Sequence, residues 1–117
     1  MEGTYPVTKL EAYIGEVLKR GLDDWIQAAE VVAVVQSIDS EASVAEVQRV
    51  ALEVIDELVC GDFMRAGDVT AEGFTEWPMT PSSACRRIRT SWNALGRLPE
   101  LGEICWLANT PRGDRRV

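Results

Sequence analysis

The sequence predicts an α+β fold, with a helical N-terminal half followed by a small antiparallel sheet of two or three short strands and one inserted helix. Up to about residue 60, apolar side chains recur with the 3.6-residue period of helices between capping signals. After Gly61 the apolar runs become short and are separated by glycine and proline, which is typical of strands and turns. Because 117 residues fill one ordinary core, residues 1–117 are expected to form a single domain, with loose termini at 1–7 and 114–117.

The first helix is predicted to run from Thr8 to Gly21. Thr8 and Glu11 have the spacing of a capping box, in which each side chain accepts a hydrogen bond from the other's backbone N–H. Gly21 is a residue that commonly ends a helix. The apolar side chains fall on one face of this helix: Leu10, Ile14, Val17 and Leu18.

The second helix is predicted from Asp24 to about Ile38, with the acidic side chains of Asp23 and Asp24 at its positive end. It is apolar nearly all round, which places it, together with Trp25, in the centre of the core. The β-branched run Val31–Val35 leaves a strand open as an alternative. Length and the neighbouring alanines favour the helix.

The third helix is predicted from Ser43 to Cys60, with Ser43 and Glu46 as a second capping box. Its buried face follows the helical period: Val44, Val47, Ala51, Val54, Ile55 and Leu58. Its outer face is mainly acidic, with one arginine among the carboxylates: Glu46, Arg49, Glu53, Asp56 and Glu57. Arg49 and Glu53 stand four residues apart and can form an ion pair.

Short strands are expected beyond Gly61. Phe63–Ala66 is predicted as a strand that turns at Gly67–Asp68, and Val69–Trp77 as a loop or a second short strand. A final strand is predicted over Ile104–Ala108, before a polar and basic tail.

A fourth helix is predicted between these strands. Thr80 provides the cap, Pro81 occupies the first helical position, where its missing N–H is not needed, and Gly96 ends the helix. Its apolar face contains Cys85, Ile88, Trp92 and Leu95.

Two short motifs resemble segments of winged-helix domains. The first follows the pattern at the end of a recognition helix and the start of a wing: Leu58, Gly61, Phe63, Met64 and Arg65. The second is similar to the segment that closes the wing: Leu107, Thr110, Pro111, Arg112 and Gly113. Over about residues 43–113 the chain therefore resembles this family, which implies a modified winged-helix fold, duplex DNA as ligand and a possible homodimer.

Several classes of function lack the residues they require. The chain has no histidine, and Cys60, Cys85 and Cys105 form no C-x-x-C pair, so His-dependent catalysis and zinc binding are not expected. With no phosphate-binding loop or nucleophile–base pair either, we expect no enzyme, no cofactor and no metal, and buried, reduced cysteines. Neither a signal peptide nor a membrane span is evident, which favours a cytoplasmic protein with no membrane partner.

Charge is unevenly distributed along the chain. Residues 1–62 carry 13 acidic and 4 basic side chains, residues 63–117 carry 6 acidic and 8 basic, and the net charge is −7. This favours a non-enzymatic acidic module that docks a basic protein, as immunity or antitoxin-type proteins do. The candidate docking residues are Glu46, Glu53, Asp56 and Glu57 on the third helix, with Trp77 as an exposed anchor.

The alternative is a winged-helix transcriptional regulator that binds duplex DNA through a basic patch: Arg49, Arg86, Arg87, Arg89 and Arg112. A DNA-reading helix needs basic or amide side chains on its exposed face. The carboxylates of the third helix would instead be repelled by the phosphates, so the acidic module is the preferred hypothesis.

Overall fold

The computed structural model describes residues 8–117, and the expected loose segment 1–7 lies outside that range. The described chain forms these elements in order: α1 (Lys9–Gly21), β1 (Ile26–Gln27), α2 (Ala28–Ile38), α3 (Val44–Cys60), β2 (Met64–Thr70), β3 (Gly73–Glu76), α4 (Pro81–Leu95), β4 (Trp106–Asn109) and α5 (Pro111–Arg116). The predicted α+β class is confirmed, as are the helical N-terminal half and the antiparallel sheet with α4 inserted. The sheet has four strands where two or three are predicted, because β1 of the N-terminal half joins it.

The sheet has the strand order β1-β4-β2-β3, and every neighbouring pair is antiparallel. Ile26 is paired with Leu107, and Leu107 with Ala66, so these three side chains share the face that is buried under the helices. The alternate residues point to the outer face, among them Trp106 and Phe74. The sheet therefore has one face buried under the helices and an outer face, whose edge is bordered by residues of α5.

The core lies between α2, α3 and the buried face of the sheet. Val31, Val34 and Val35 are at most 1% exposed, and the segment that contains them is helical, which settles the helix-or-strand alternative for 31–35. α1 and α3 pack against α2, and α4 packs against α3. Trp92 of α4 is fully buried in this core, as the periodicity predicts.

The start of α2 differs from the prediction. Ile26 and Gln27 pair with β4 instead of joining the helix, which therefore begins at Ala28. Glu30 accepts a hydrogen bond from the Gln27 N–H and so caps the first turn. Trp25 precedes the strand, and its side chain is 38% exposed, so the prediction that Trp25 lies in the core is wrong.

The first hairpin is longer than predicted. β2 continues through Gly67 and Asp68, where a turn was expected, and the chain turns only between Thr70 and Gly73. Gly67 is required inside the strand because a Cβ there would lie 2.8 Å from the Phe74 ring and 2.2 Å from the Thr75 carbonyl oxygen. The glycine allows a close approach of two strands and is not a turn signal here.

The C-terminal tail is also corrected. Residues 111–116 form α5. The predicted loose end over 114–117 is therefore wrong for residues 114–116, which are helical. Thr110 caps this helix by accepting a hydrogen bond from the Gly113 N–H, and Pro111 occupies its first position. In the described part of the chain, no helix combines the length and the hydrophobicity that a membrane crossing needs.

Candidate functional site

The acidic face of α3 is partly neutralised by its own arginine. Arg49 Nη2 lies 2.7 Å from Glu46 Oε2, and Arg49 Nη1 lies 3.3 Å from Glu53 Oε2. The hydrogen bonds from the Arg49 guanidinium lower the pKa of the Glu46 carboxyl. The Ser43 hydroxyl accepts from the Glu46 N–H, but the Glu46 carboxylate is paired with Arg49 and does not complete the predicted capping box. Two of the four predicted docking carboxylates therefore already hold a cation.

The other two predicted carboxylates lie beside α4. Asp56 Oδ2 is 2.5 Å from Arg89 Nη2, an ion pair between residues 33 positions apart. Glu57 is exposed at the rim of a surface pocket of about 390 Å³, which is lined by Asp56, Glu57, Cys60, Ser82, Cys85, Arg86 and Arg89. The acidic face of α3 thus meets a basic edge of α4, and the charges offset one another locally.

Trp77 does not form an exposed anchor, so that prediction is wrong. Its side chain is 4% exposed, because the Trp77 N–H donates to the Ala66 carbonyl and continues the pairing of β3 with β2. The Arg87 guanidinium lies 3.8 Å from the centre of its ring, a cation–π contact that covers the indole. The surface tryptophan of this chain is Trp25 instead.

The arginines of the DNA-binding hypothesis are mostly engaged within the protein. Arg112 Nε donates a 3.0 Å hydrogen bond to the Gly61 carbonyl, and its guanidinium lies 4.6 Å from the centre of the Phe63 ring. Arg49, Arg87 and Arg89 hold the partners already described. Arg86 is exposed and lines the pocket beside Cys85. Its guanidinium has no hydrogen bond or ion pair with another described residue, unlike those of Arg49, Arg89 and Arg112.

A surface that sequence reasoning missed lies at the end of the sheet. The ring centres of Trp25 and Phe74 are 6.3 Å apart, so the two aromatic side chains meet across the outer face. Leu22, in the turn after α1, is 49% exposed beside them. We call the group of Leu22, Asp23, Asp24, Trp25, Phe74 and Asp114 the Trp25 face.

The Trp25 face contains an acidic pocket of about 510 Å³. Three of its lining residues are carboxylates (Asp23, Asp24 and Asp114), and no lysine or arginine of the described chain lines it. Asn109 holds one wall in place, because its amide donates to the Leu18 carbonyl at 2.9 Å and to Asp114 Oδ1 at 3.1 Å. The exposed Trp25 indole thus borders a pocket in which the charged side chains of the described residues are all negative.

The signal for this surface was present in the sequence as Asp23–Asp24–Trp25 directly after Gly21. The same residues also fit the start of a helix, where carboxylates are favourable, and the sequence therefore predicts them at the start of α2. Only the pairing of β1 with β4 moves these residues out of the helix and next to Asp114. Among the described residues, no group of three or more carboxylates or thiols could hold a metal ion.

No protein-family model, curated protein or solved structure matches this chain. We therefore infer its function from its own geometry.

Proposed function

We propose that this protein is a non-enzymatic binding module that docks a basic protein partner on the Trp25 face. The observation that carries the proposal is the exposed Trp25 side chain beside a pocket whose charged lining residues are all carboxylates. Tryptophan is enriched at the centres of protein interfaces because it combines a large apolar area with a polar edge. Carboxylates around it favour a partner of the opposite charge.

The partner would present an arginine or lysine side chain to this pocket. A guanidinium over the Trp25 indole gains a cation–π interaction, and Asp23, Asp24 and Asp114 can accept its hydrogen bonds. The net charge of −7 would accelerate the encounter with such a partner. Charge thus sets the rate and orientation of docking, while Trp25 and Leu22 provide the apolar contact.

The acidic face of α3 is the second candidate surface for the same partner. Docking there would compete with Arg49 for Glu46 and Glu53, and with Arg89 for Asp56. Such exposed pairs are individually weak, about 0–1 kcal/mol, so the competition is modest. The Trp25 face is favoured because no lysine or arginine of residues 8–117 lines its pocket and because it has an aromatic anchor.

Two double variants of equal charge change separate these surfaces. The probe is a fluorescein-labelled arginine-rich peptide, with a glutamate-rich peptide as control, and binding is measured by fluorescence anisotropy at low and high salt. D23N/D24N should weaken binding about tenfold, because the carboxylates nearest Trp25 are lost. E53Q/E57Q changes the net charge by the same amount. It should weaken binding less than about threefold, which is less than half of the D23N/D24N effect in the logarithm of Kd.

The outcomes test function and site separately. If the arginine-rich peptide does not bind at low salt, or binds equally at high salt, docking of a basic partner is wrong. If E53Q/E57Q weakens binding more than D23N/D24N does, the function stands and the site moves to α3.

An immunity or antitoxin role is the form of this proposal in which the basic partner is a toxin. The natural partner can be captured from cell extract with the wild type and the D23N/D24N variant side by side. A protein retained by the wild type and lost by the variant is a specific partner. If that protein is a nuclease, an equimolar amount of this chain should abolish its activity.

Duplex DNA binding is the second candidate function, supported by the topology. The sheet has β4 between β1 and β2, and the three helices α1, α2 and α3 come before β2 in the chain. The two motifs of the winged-helix resemblance are in contact, because the Thr110 N–H donates a hydrogen bond to the Phe63 carbonyl. The test is an electrophoretic mobility shift with random-sequence duplex at low salt. Absence of a shift at micromolar protein removes this candidate, and a shift lost in R86Q/R112Q would support it.

A further inference from the structure

Two cysteines from different helices bring their sulfur atoms into contact. Cys60 is the last residue of α3, Cys85 lies in the second turn of α4, and their Sγ atoms are 3.3 Å apart. Both are free thiols, as is Cys105. The sulfurs of a disulfide are about 2.0 Å apart, so the two sulfur atoms need to approach by about 1.3 Å to form the bond. We propose that Cys60 and Cys85 are a reversible modification site, at which a low-molecular-weight disulfide such as glutathione disulfide converts the thiol pair into an intramolecular disulfide.

The two thiols differ in access. Cys60 is exposed, whereas Cys85 is 8% exposed and forms the inner wall of the 390 Å³ pocket. Burial raises the pKa of the Cys85 thiol, and its contact with the Cys60 thiol raises it further. Cys60 is therefore the residue that an oxidant meets first, and Cys85 is the resolving thiol held next to it.

The exchange proceeds in two balanced steps. The Cys60 thiolate attacks one sulfur of glutathione disulfide, which forms a mixed disulfide and releases one glutathione thiolate that takes up a proton. Cys85 then loses its proton to solvent and attacks Cys60 Sγ, which expels the second glutathione. Two electrons pass from the protein thiols to glutathione disulfide, and two molecules of reduced glutathione are formed.

Cys105 provides an internal comparison. It is 2% exposed, and burial raises the pKa of its thiol to about 12. It lies directly before β4 and makes no sulfur contact with either of the other cysteines among the described hydrogen bonds. Neither access nor a neighbouring thiol supports its oxidation, so the modification should be confined to the Cys60–Cys85 pair.

The disulfide would join the end of α3 to α4 and enclose the whole β2–β3 hairpin in the loop. Such a cross-link restricts the unfolded chain, so the oxidised protein should melt at a temperature about 5 °C or more above that of the reduced protein. It would also lie in the lining of the pocket that contains Asp56 and Arg86. In a reducing compartment the bond would form only transiently, as expected of a redox-responsive pair.

The test uses the full chain equilibrated in buffers of increasing ratio of oxidised to reduced glutathione. After an acid quench and alkylation, mass spectrometry should show one species that carries a single alkyl group instead of three. Its digest should contain a linked peptide pair with Cys60 and Cys85, and Cys105 as the alkylated thiol. C105S should form the same bond. C85S, or C85A if the serine disturbs the core, should stop at a single glutathione on Cys60, and C60S should remain reduced.

Three outcomes would overturn the proposal. One is a wild type that keeps three thiols in buffers in which reference protein dithiols oxidise. Another is a wild type that stops at the mixed disulfide on Cys60. The third is a bond that forms between two chains and disappears on dilution.

Discussion

The Thr110 hydroxyl donates a 2.6 Å hydrogen bond to the carbonyl oxygen of Asp62, and this bond joins two turns that lie 48 residues apart in the chain. Asp62 has a left-handed backbone with φ of 63°, which ends α3 and turns the chain into β2. Thr110 is 5% exposed and also accepts from the Gly113 N–H, so one hydroxyl holds the end of α3 and the start of α5 together.

Replacing Thr110 by valine tests this junction. T110V keeps the shape of the side chain but leaves the Asp62 carbonyl and the Gly113 N–H without a partner, which should lower the free energy of unfolding by about 1–3 kcal/mol. Urea denaturation measures the loss. T90V, on the exposed face of α4, makes the same chemical change and should stay within about 0.5 kcal/mol of the wild type. Equal effects of the two variants would contradict the role of Thr110.

Two glycine-to-alanine variants should change stability in opposite directions. A Cβ on Gly113 would lie 2.1 Å from the Phe63 carbonyl oxygen, a backbone atom that cannot move alone, so G113A should lose more than about 2 kcal/mol. Gly15 lies in α1 with open space around its Cβ position, so G15A should gain about 0.5–1 kcal/mol from helix propensity. Thermal unfolding monitored by circular dichroism compares them, and a stable G113A would contradict the packing of α5 on Phe63.

Alanine variants of Trp25 and Trp92 should separate the effect on peptide binding from the effect on stability. W25A removes a side chain that is 38% exposed, so we expect a loss of about 1 kcal/mol in stability together with loss of arginine-peptide binding. W92A empties a fully buried site and should cost about 3–5 kcal/mol. Anisotropy titration and urea denaturation on the same samples give both quantities. A W25A protein that binds the peptide at full affinity would argue against the Trp25 face.

Glu103 should make stability depend on acid pH. The Arg97 side chain and the Glu100 N–H donate hydrogen bonds to its carboxylate and lower its pKa to about 2, from an ordinary value of 4.5. Because the pKa is lowered by folding, the stabilisation is complete above about pH 4.5 and is lost as the pH falls towards 2. The melting temperatures of the wild type and E103Q should therefore converge across that interval.

The partner variant checks the cause of this dependence. R97Q should raise the pKa of the Glu103 carboxyl, measured by ¹³C NMR titration, and should remove most of the difference between the wild type and E103Q. A Glu103 carboxyl that titrates at its ordinary pKa in the wild type would show that the Arg97 pair does not persist in solution.

The limits of the helices were largely readable from the chain itself. The Thr8–Glu11 capping box forms as predicted, and α4 runs from the Thr80 cap to Gly96, which adopts the left-handed conformation with φ of 72°. These signals act between residues within about four positions of one another, so local sequence carries them completely. The 3.6-residue period likewise identified Ile55 and Leu58 as core residues.

The functional surface was decided by contacts between distant segments. Trp25 was expected in the core and Trp77 at the surface, and the structure exchanges them because Trp25 precedes a strand paired with β4 while Trp77 continues a strand paired with β2. The availability of carboxylates depends in the same way on long-range pairs such as Asp56 with Arg89. Sequence period and caps determine which helices form, since they depend on near neighbours. The burial of Trp25, the pairing of β1 with β4, the Asp56–Arg89 ion pair and the Cys60–Cys85 contact depend on partners 25 to 81 positions away. Only the packed chain brings those partners together.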